Sequence, residues 1–501
     1  MLHPRGNGEA ASAPTVLIVG AGPAGLFAAC ELLCHGVKPR VVERRPAPHG
    51  ETRGTALQPA VLEIIDRGGL IEPFLRAGVR IRHIQLLGPG LREIAVANFA
   101  DIGCKCEFQC SLPQWRTEAI LRQHLTSLGP EVEFGTDVTS IEDDPAGLRV
   151  TLETGGRTEA VAAAYVLGAG GGHSVTRHSM REHLAGETYG GRYAVADVKL
   201  RLPCPPECGR VTVGPAGFGM FSPLPDGRWL IFVNRDEADT LSERPTEAEL
   251  GALLNARTGV DVGLSDLRWA SYFRMHKRAV ESLSDGRRFL LGDAAHLSSP
   301  LGGEGVNAAL MDAADIAWKL ALVVGGGAKP SLLDSYATER GLADRHVLEV
   351  SQEIHGRVME LVAMCGDGGV PTLPQGDKAR NVAAARRRSM LDGARRTAIS
   401  RRSKRPHPSR KGAPTSPAKG GRGDFAKCDR AVRGLFLISG AKQSRRTRCG
   451  WTRIASPSAR YDHRGFNLTQ THSNFSPRQA GRPHGAAAAS PAFPRPGRWP
   501  R

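Results

Sequence analysis

Long apolar runs are absent from this sequence. No stretch is long enough to span a bilayer, and the opening residues, MLHPRGNGEAASAP, lack the apolar segment of a secretory signal, so a cytoplasmic location is expected. Zinc-ligand spacing is absent too. The ten cysteines include a close set, Cys104, Cys106 and Cys110 in CKCEFQC, but no zinc pattern and no His-x-x-x-His completes it. A strand-like stretch with incidental, reduced thiols is the expectation. No internal repeat is visible. Acid is scarce at one end: residues 376–501 hold 30 Lys/Arg against 5 Asp and no Glu, a net of +25, which leaves −8 for residues 1–375 out of the total of +17. The basic charge belongs to the tail and says nothing about the partners of the rest. That tail has only 14 Leu, Ile, Val or Phe among 126 residues, too few to bury a core, and is expected to be disordered. Its run SRRSKRPHPSRKGAPTSPAKGGRGD has the chemistry to meet phosphates by counterion release. A solvated tail without a specific nucleic-acid partner, or an out-of-frame read-through of a GC-rich coding sequence, is the plainer reading.

What residues 1–375 do contain begins at TVLIVGAGPAGL. A short β-branched run, Val16 to Val19, reads as a buried strand that breaks at a glycine turn. An amphipathic stretch, LFAACELLCHG, follows and stops at Gly36, as a helix with a glycine cap does; KPRVVER then supplies a second strand ending in Glu43, 23 positions after Gly20. In such a unit Gly20 makes the tight turn, Gly22 lets the backbone approach a pyrophosphate, Gly25 lets helix and strand pack closely, and Glu43 accepts ribose hydroxyls. The fold class that follows is α/β with a dinucleotide-binding parallel sheet.

A second glycine-rich stretch decides which dinucleotide. In RRFLLGDAAHLSSPLGGEGVNAALMDAADIAWKLA a strand ends at Gly292-Asp293, well placed for a polyol, and PLGGEGVN leads into a long apolar helix. The N–H groups at that helix start suit a carbonyl oxygen that becomes negative on reduction. FAD has both a ribityl chain and a flavin C2 carbonyl; NAD has neither.

Together these segments resemble the FAD-dependent class A aromatic hydroxylases, the group with phenol-type, phenylpropionate-type and polyketide-ring monooxygenases. The resemblance also rests on TRGTALQPAVLEIIDRGGL, LPQWRTEAILRQHL, VLGAGGGHSVTR, SYFRMHKRAV and LLDSYATER, and it covers roughly residues 14–350 in family order. It implies that Gly20, Gly22, Gly25 and Glu43 hold the ADP half of FAD, with Arg44, Arg53 and Gln114 as further flavin contacts and Arg122 facing the pyrophosphate. Asp293 would bind the ribityl chain, Pro300 would shape the flavin pocket, and Gly305, Val306 and Asn307 would face the isoalloxazine ring. One departure stands out: the family usually has Asp where this chain has Gly170, an acid implicated in both FAD and NAD(P)H binding. His173, Ser174 and Arg177 remain in place around it. The thioredoxin-like C-terminal domain of several members is not seen here.

Residues 180–280 alternate apolar and polar positions in short runs such as RYAVADVKLRL and RWLIFVNR, as an antiparallel sheet does. The expected architecture is a glutathione-reductase-type, Rossmann-like FAD domain, discontinuous over 14–179 and 281–350. A mainly antiparallel β substrate domain over 180–280 is inserted in it, followed by a helix and linker over 351–375 and the tail over 376–501. The resemblance implies that NAD(P)H, bound transiently without a glycine loop of its own, reduces FAD, and that a flavin C4a-hydroperoxide transfers oxygen from O2 to a small aromatic or polyketide substrate. No catalytic side chain is assigned: the cofactor carries the hard chemistry, and His276 and His296 read as structural. Met220 and Phe221 are candidates for the pocket wall, and a homodimer is compatible with all of this. Two rival readings remain at this level. One is a flavin reductase or oxidase acting on a prenyl or polyketide substrate; the other is a degenerate FAD-binding protein whose basic tail is an interaction arm.

Overall fold

Val16–Val19 is buried on both faces, which is why its sequence is a continuous apolar run rather than an alternating one. Val16 and Ile18 point into the largest apolar cluster, among the helices, whereas Leu17 and Val19 point into a second cluster on the opposite side. In the computed structural model, which describes residues 16–366 apart from 53, 101, 103, 203, 204, 206 and 236–243, this strand is the centre of a five-stranded parallel sheet. The order is Arg288–Leu290, Tyr165–Gly168, Val16–Val19, Arg40–Glu43, Val132–Phe134. Arg53 and the tail 376–501, with its expected disorder, lie outside the described residues.

The helices are α1 (Pro23–Cys34), α2 (Pro59–Arg67), α3 (Ile71–Ala77), α4 (Gln114–Ser127), α5 (Val175–Ser179), α6 (Glu247–Thr258), α7 (Gly305–Val324) and α8 (Asp334–Gly366). On one face of the parallel sheet α1 lies against α7 and α4, and a three-stranded antiparallel sheet over residues 136–163 covers the other. Tyr336 of α8 is fully buried and donates its hydroxyl to Leu290 O at 2.7 Å, tying that helix to the last parallel strand.

A seven-stranded sheet makes the second layer. Its order is Ser265–Phe273, Arg192–Lys199, Trp229–Arg235, Gly217–Pro223, Cys208–Gly214, His83–Leu87, Glu93–Asn98. Tyr193, Val211, Phe218 and Phe232 face α8 from one side, while Ala194, Ala196, Phe221 and Ile231 face α6 from the other. α6 is held at its start by a reciprocal capping box between Thr246 and Glu249 and stopped by Gly259 at φ +72°.

In two respects the architecture differs from the sequence expectation. The seven-stranded sheet takes His83–Leu87 and Glu93–Asn98 from residues assigned to the 14–179 segment, joining them by a parallel pairing of His83–Leu87 with Cys208–Gly214. A strand's own alternation carries no information about a partner more than a hundred residues away. The break expected at residue 350 is also absent: α8 runs unbroken from Asp334 to Gly366, because a buried stripe including Val347, Ile354, Val358 and Leu361 continues across that point.

Candidate functional site

Between the two layers lies a cavity of about 1030 Å³, bordered at one end by the first glycine turn and at the other by the seven-stranded sheet. The turn owes its shape to three glycines with three different demands. Gly20 sits at φ +108°, and a Cβ on it would stand 2.5 Å from Ala169 O. A Cβ on Gly25 would stand 2.0 Å from Gly20 O, so helix and turn approach as closely as backbone allows. Gly22 has ordinary torsions and nothing within 4 Å of where its Cβ would be: that side faces the cavity. Gly22 also starts α1 with no side-chain acceptor for the first-turn N–H groups, and Pro23 needs none. The amides of Ala24 and Gly25 are thus available to an anion.

Glu43 ends the neighbouring strand beside this turn. It is 6% exposed and accepts hydrogen bonds from Ala21 N at 2.8 Å, Arg45 N at 3.1 Å and Arg45 Nε at 3.0 Å. Burial by itself would raise its pKa, but those N–H donors and the Arg45 guanidinium overcome it and hold the carboxyl below its ordinary value. An ionised carboxylate accepts about four hydrogen bonds, so capacity remains for a ligand hydroxyl. Arg44 is exposed at the same rim. Gln114, the first residue of α4, lines the cavity and spends its amide on Glu118 Oε1 at 2.9 Å, while burial holds Glu118 above its ordinary pKa.

The second glycine stretch forms the far wall. Gly292, at φ +56°, opens a tight turn that presents Asp293 to the cavity, and a Cβ there would meet Ala309 of α7 at 2.8 Å. Pro300, Gly302, Gly303, Gly305 and Val306 line the same wall, where α7 begins with no side-chain cap. Asn307 does not face the cavity as expected. It is fully buried and holds the wall from behind, accepting from Gln58 N at 2.8 Å and donating to Ala56 O at 2.8 Å and Gly303 O at 2.6 Å. Gln58, which sequence reasoning missed, donates to Gly302 O at 3.0 Å, and its buried Oε1 has no partner. An orphaned acceptor at a cavity wall implies a donor on a ligand or a water. The signal was present in GTALQPA, as an amide between two apolar positions.

Arg177 joins the two walls. Buried to 4% exposure, it donates to Ala294 O at 3.1 Å and to Gly172 O at 2.6 Å, clamping the Gly170–His173 turn to the Asp293 turn. Gly170 itself has φ −77° and room for a Cβ, whose nearest neighbour would be Ser174 Cα at 3.6 Å, so no steric constraint requires glycine there. Behind the Asp293 turn lies a buried ion cluster. Asp312 of α7 accepts from Gly292 N at 2.9 Å and from Arg340 Nε at 2.7 Å, and its Oδ2 is 2.9 Å from His296 Nε2. Arg340 also donates to Asp344 at 2.7 Å. Burial works against the charged form of His296, but Asp344 and Asp312 outweigh it and push the pKa up to about 9. His296 is therefore an ionic anchor rather than simple packing. His276 stands apart, with Nδ1 3.0 Å from Thr188 Oγ1.

The other half of the cavity is apolar. Val195, Val211, Met220, Phe232 and Phe273 of the seven-stranded sheet face Leu301 and, from α8, Ile354 and Val358. Ser222 adds a hydroxyl that meets Ser111 Oγ at 3.0 Å and Thr55 Oγ1 at 3.4 Å.

Of the residues singled out from sequence, Gly20, Gly22, Glu43, Arg44, Gln114, Asp293, Pro300, Gly305 and Val306 border this one cavity, as do Met220 and Phe221. Gly25 supports it through packing. Arg122, half-buried on α4, does not border it: it shares a helix face with Gln114 and Glu118 but lies a turn beyond Glu118, past the edge of the cavity. The features fit FAD on their own terms: an anion-ready helix start, a carboxylate beside it, an acid at a polyol position, an uncapped second helix and an unpartnered buried acceptor.

Comparison with known proteins agrees. The FAD binding domain family matches residues 13–351. The 6-methylpretetramide 4-monooxygenase of Streptomyces rimosus is 34% identical over 334 residues, which are 66% of this chain and 59% of that protein. An uncharacterized aromatic compound monooxygenase of Bacillus subtilis (strain 168) is 34% identical over 65% of this chain and 64% of its own length. The chain thus spans about three fifths of the length of these curated relatives. Among solved structures, an aklavinone-11 hydroxylase in ternary complex with FAD and aklavinone is 28% identical with a TM-score of 0.62, covering 69% of this chain and 70% of that one. Sequence motifs, layer order and cavity thus converge, and the chain belongs to the FAD binding domain family.

Proposed function

We propose that this chain is a single-component aromatic hydroxylase that binds FAD along the cavity and uses NAD(P)H and O2 to hydroxylate an aromatic or polyketide ring. The observation that carries the reading is the continuity of one cavity from the α1 start, past Asp293 and the α7 start, to the apolar face of the seven-stranded sheet. In this reading the parallel sheet and its helices form the FAD-binding part and the seven-stranded sheet the substrate part. Bound FAD supplies the redox chemistry, accepting a hydride from NAD(P)H and activating O2.

The residues of this chain do the rest. The amides of Ala24 and Gly25 meet the pyrophosphate, Glu43 accepts ribose hydroxyls, and Asp293 takes the polyol. The amides at the start of α7, with its dipole, oppose the negative charge that reduction brings to the ring system. Gln58 and Asn307 hold that wall at a fixed distance. The apolar sheet face and α8 exclude water and orient the aromatic ring above the flavin. Asp is usual at the position of Gly170; here the backbone of residues 170–172 lines the cavity instead.

The test is the visible spectrum of the purified full chain, followed by NAD(P)H consumption in air with phenols and fused-ring phenols. A flavin spectrum with ring-stimulated consumption, and a product carrying one atom from isotopically labelled dioxygen, is the expected result. Consumption that yields only hydrogen peroxide with every ring points to an oxidase. A folded, colourless protein that takes up no FAD overturns the proposal.

A further inference from the structure

Every other strongly buried carboxyl described above has a cationic or N–H partner; Glu304 does not. It is 4% exposed at the N-cap of α7, between Gly303 and Gly305 of the cavity wall. Its backbone O accepts from Ala308 N at 2.9 Å, but among the described residues its carboxyl has no hydrogen-bond or ion-pair partner. The side chain runs between Gly302 and α8: Glu304 Cγ lies 3.6 Å and Ile354 Cδ1 3.0 Å from the point a Cβ on Gly302 would occupy. Gly302 and Ile354 both border the cavity, so the Glu304 side chain packs against residues of its wall.

The groups around it are neutral or already committed. Residues 298–303 of the preceding turn carry no ionisable side chain. From α8, Ile354 and Ser351 face the turn, and Ser351 Oγ is bound to Ser299 O at 2.9 Å. Elsewhere on α8, the His355 ring packs at a tilt against Tyr189 with centroids 4.5 Å apart, and Glu353 pairs with Arg357 at 2.7 Å. On α7 the first ionisable group is Asp312, bound by Arg340 and His296. Beside Gly303, each with its Nε2 3.9 Å from where a Cβ would stand, Gln58 and Gln109 are uncharged amides. Burial is the one cause acting on Glu304, and it lifts the pKa from 4.5 to about 8.

An unpaired carboxyl held there at a cost to stability has a consequence for the flavin. We propose that Glu304 is an electrostatic gate on flavin reduction: protonated, it leaves the α7 start free to stabilise the negative charge of reduced flavin, and ionised, it competes for that same positive end. The inference rests on the FAD reading above. The direction follows from charge alone. Reduction adds negative charge near the α7 start, so reduced flavin favours the protonated carboxyl, and an ionised Glu304 disfavours reduction. Between the carboxyl's pKa with oxidised flavin and its higher pKa with reduced flavin, reduction is then coupled to uptake of up to one extra proton by Glu304. The group acts on the flavin through the wall and is a positioning residue rather than a catalytic one.

The experiment is the midpoint potential of the FAD-loaded full chain from pH 6 to 9.5, for wild type, Glu304→Gln and Glu304→Asp. The potentials of wild type and E304Q should agree at pH 6. Above about pH 8 the wild-type potential should fall more steeply, leaving E304Q the higher, with E304D restoring the steeper fall. Coincident lines over the whole range, with FAD bound in both proteins, overturn this inference while leaving the hydroxylase reading intact. Failure of wild type to bind FAD overturns both. Should E304Q not fold, wild type alone decides the matter, because a slope that does not steepen between pH 7 and 9.5 removes the coupled proton.

Discussion

Replacing Arg340 by Met deletes the one permanent cation of the buried cluster behind the Asp293 turn. Arg340 holds Asp312 and Asp344 at 2.7 Å each, and those residues are 0% and 4% exposed. Methionine fills most of the volume, so the loss is electrostatic: two carboxylates face one histidine in a region closed to water. Breaking a buried pair from one side costs about 3–5 kcal/mol, which for a chain of this size lowers the melting temperature by on the order of 5–10 °C. The loss should depend on pH in a stated direction. Burial, with Asp312 next to it, already raises Asp344 to about 6 with Arg340 present. Without Arg340 both carboxyls move up, Asp344 further above its ordinary value and Asp312 from the lowered value that Arg340 and His296 give it against burial, so the folded variant binds more protons than folded wild type as pH falls, and its deficit shrinks. His296 pulls the other way only at high pH. Its pKa of about 9 means its contribution is complete below about pH 6.5 and lost as pH rises through 9. Urea unfolding followed by circular dichroism at pH 8 and at pH 5.5 is the assay. A large deficit at pH 8 that narrows at pH 5.5 is expected. Equal stability at pH 8, or a deficit that does not move with pH, would refute the assignment of Arg340 as the charge that balances the cluster.

Three further variants separate binding from folding. Gly25→Ala should fail to give soluble folded protein, since its Cβ would sit 2.0 Å from Gly20 O. Gly22→Ala, with nothing within 4 Å of its Cβ, should fold normally in the absence of FAD yet lose at least about tenfold in FAD affinity by fluorescence titration, roughly 1.4 kcal/mol. An unchanged affinity would mean that no pyrophosphate approaches there. Arg177→Met leaves Ala294 O and Gly172 O without their donor and should cost roughly 2–3 kcal/mol in urea unfolding. It should also weaken FAD binding, because the two turns it joins would separate; full FAD affinity would show that they hold without it.

Local geometry was legible because its causes are local. The glycine turn reads from sequence since φ +108° at Gly20 and the close approach at Gly25 are demands that only glycine meets, and they recur wherever this turn is built. Glu43 was legible for the same reason, lying at the end of the next strand. Asn307 was misplaced for the opposite one: which side of a helix faces a cavity depends on what the helix packs against, and a 3.6-residue repeat does not name the neighbour. Arg122 was misplaced because the pattern does not say how far along α4 the cavity extends.

Sequence by itself determined the parallel sheet's first unit, the second glycine stretch, the apolar α7 and the separation of an acidic body from a basic tail, since composition and short-range pattern suffice for each. Tertiary structure alone decided what meets across the chain. Gln58 finds Asn307 across 249 positions, Arg177 finds Ala294 across 117, and His83–Leu87 joins Cys208–Gly214 to close the wall of the cavity. It also decided which charges are left alone. Nothing in GGEGVN distinguishes Glu304 from a solvated helix-start acid; only the closing of α8 over it removes the water that would have kept it ionised.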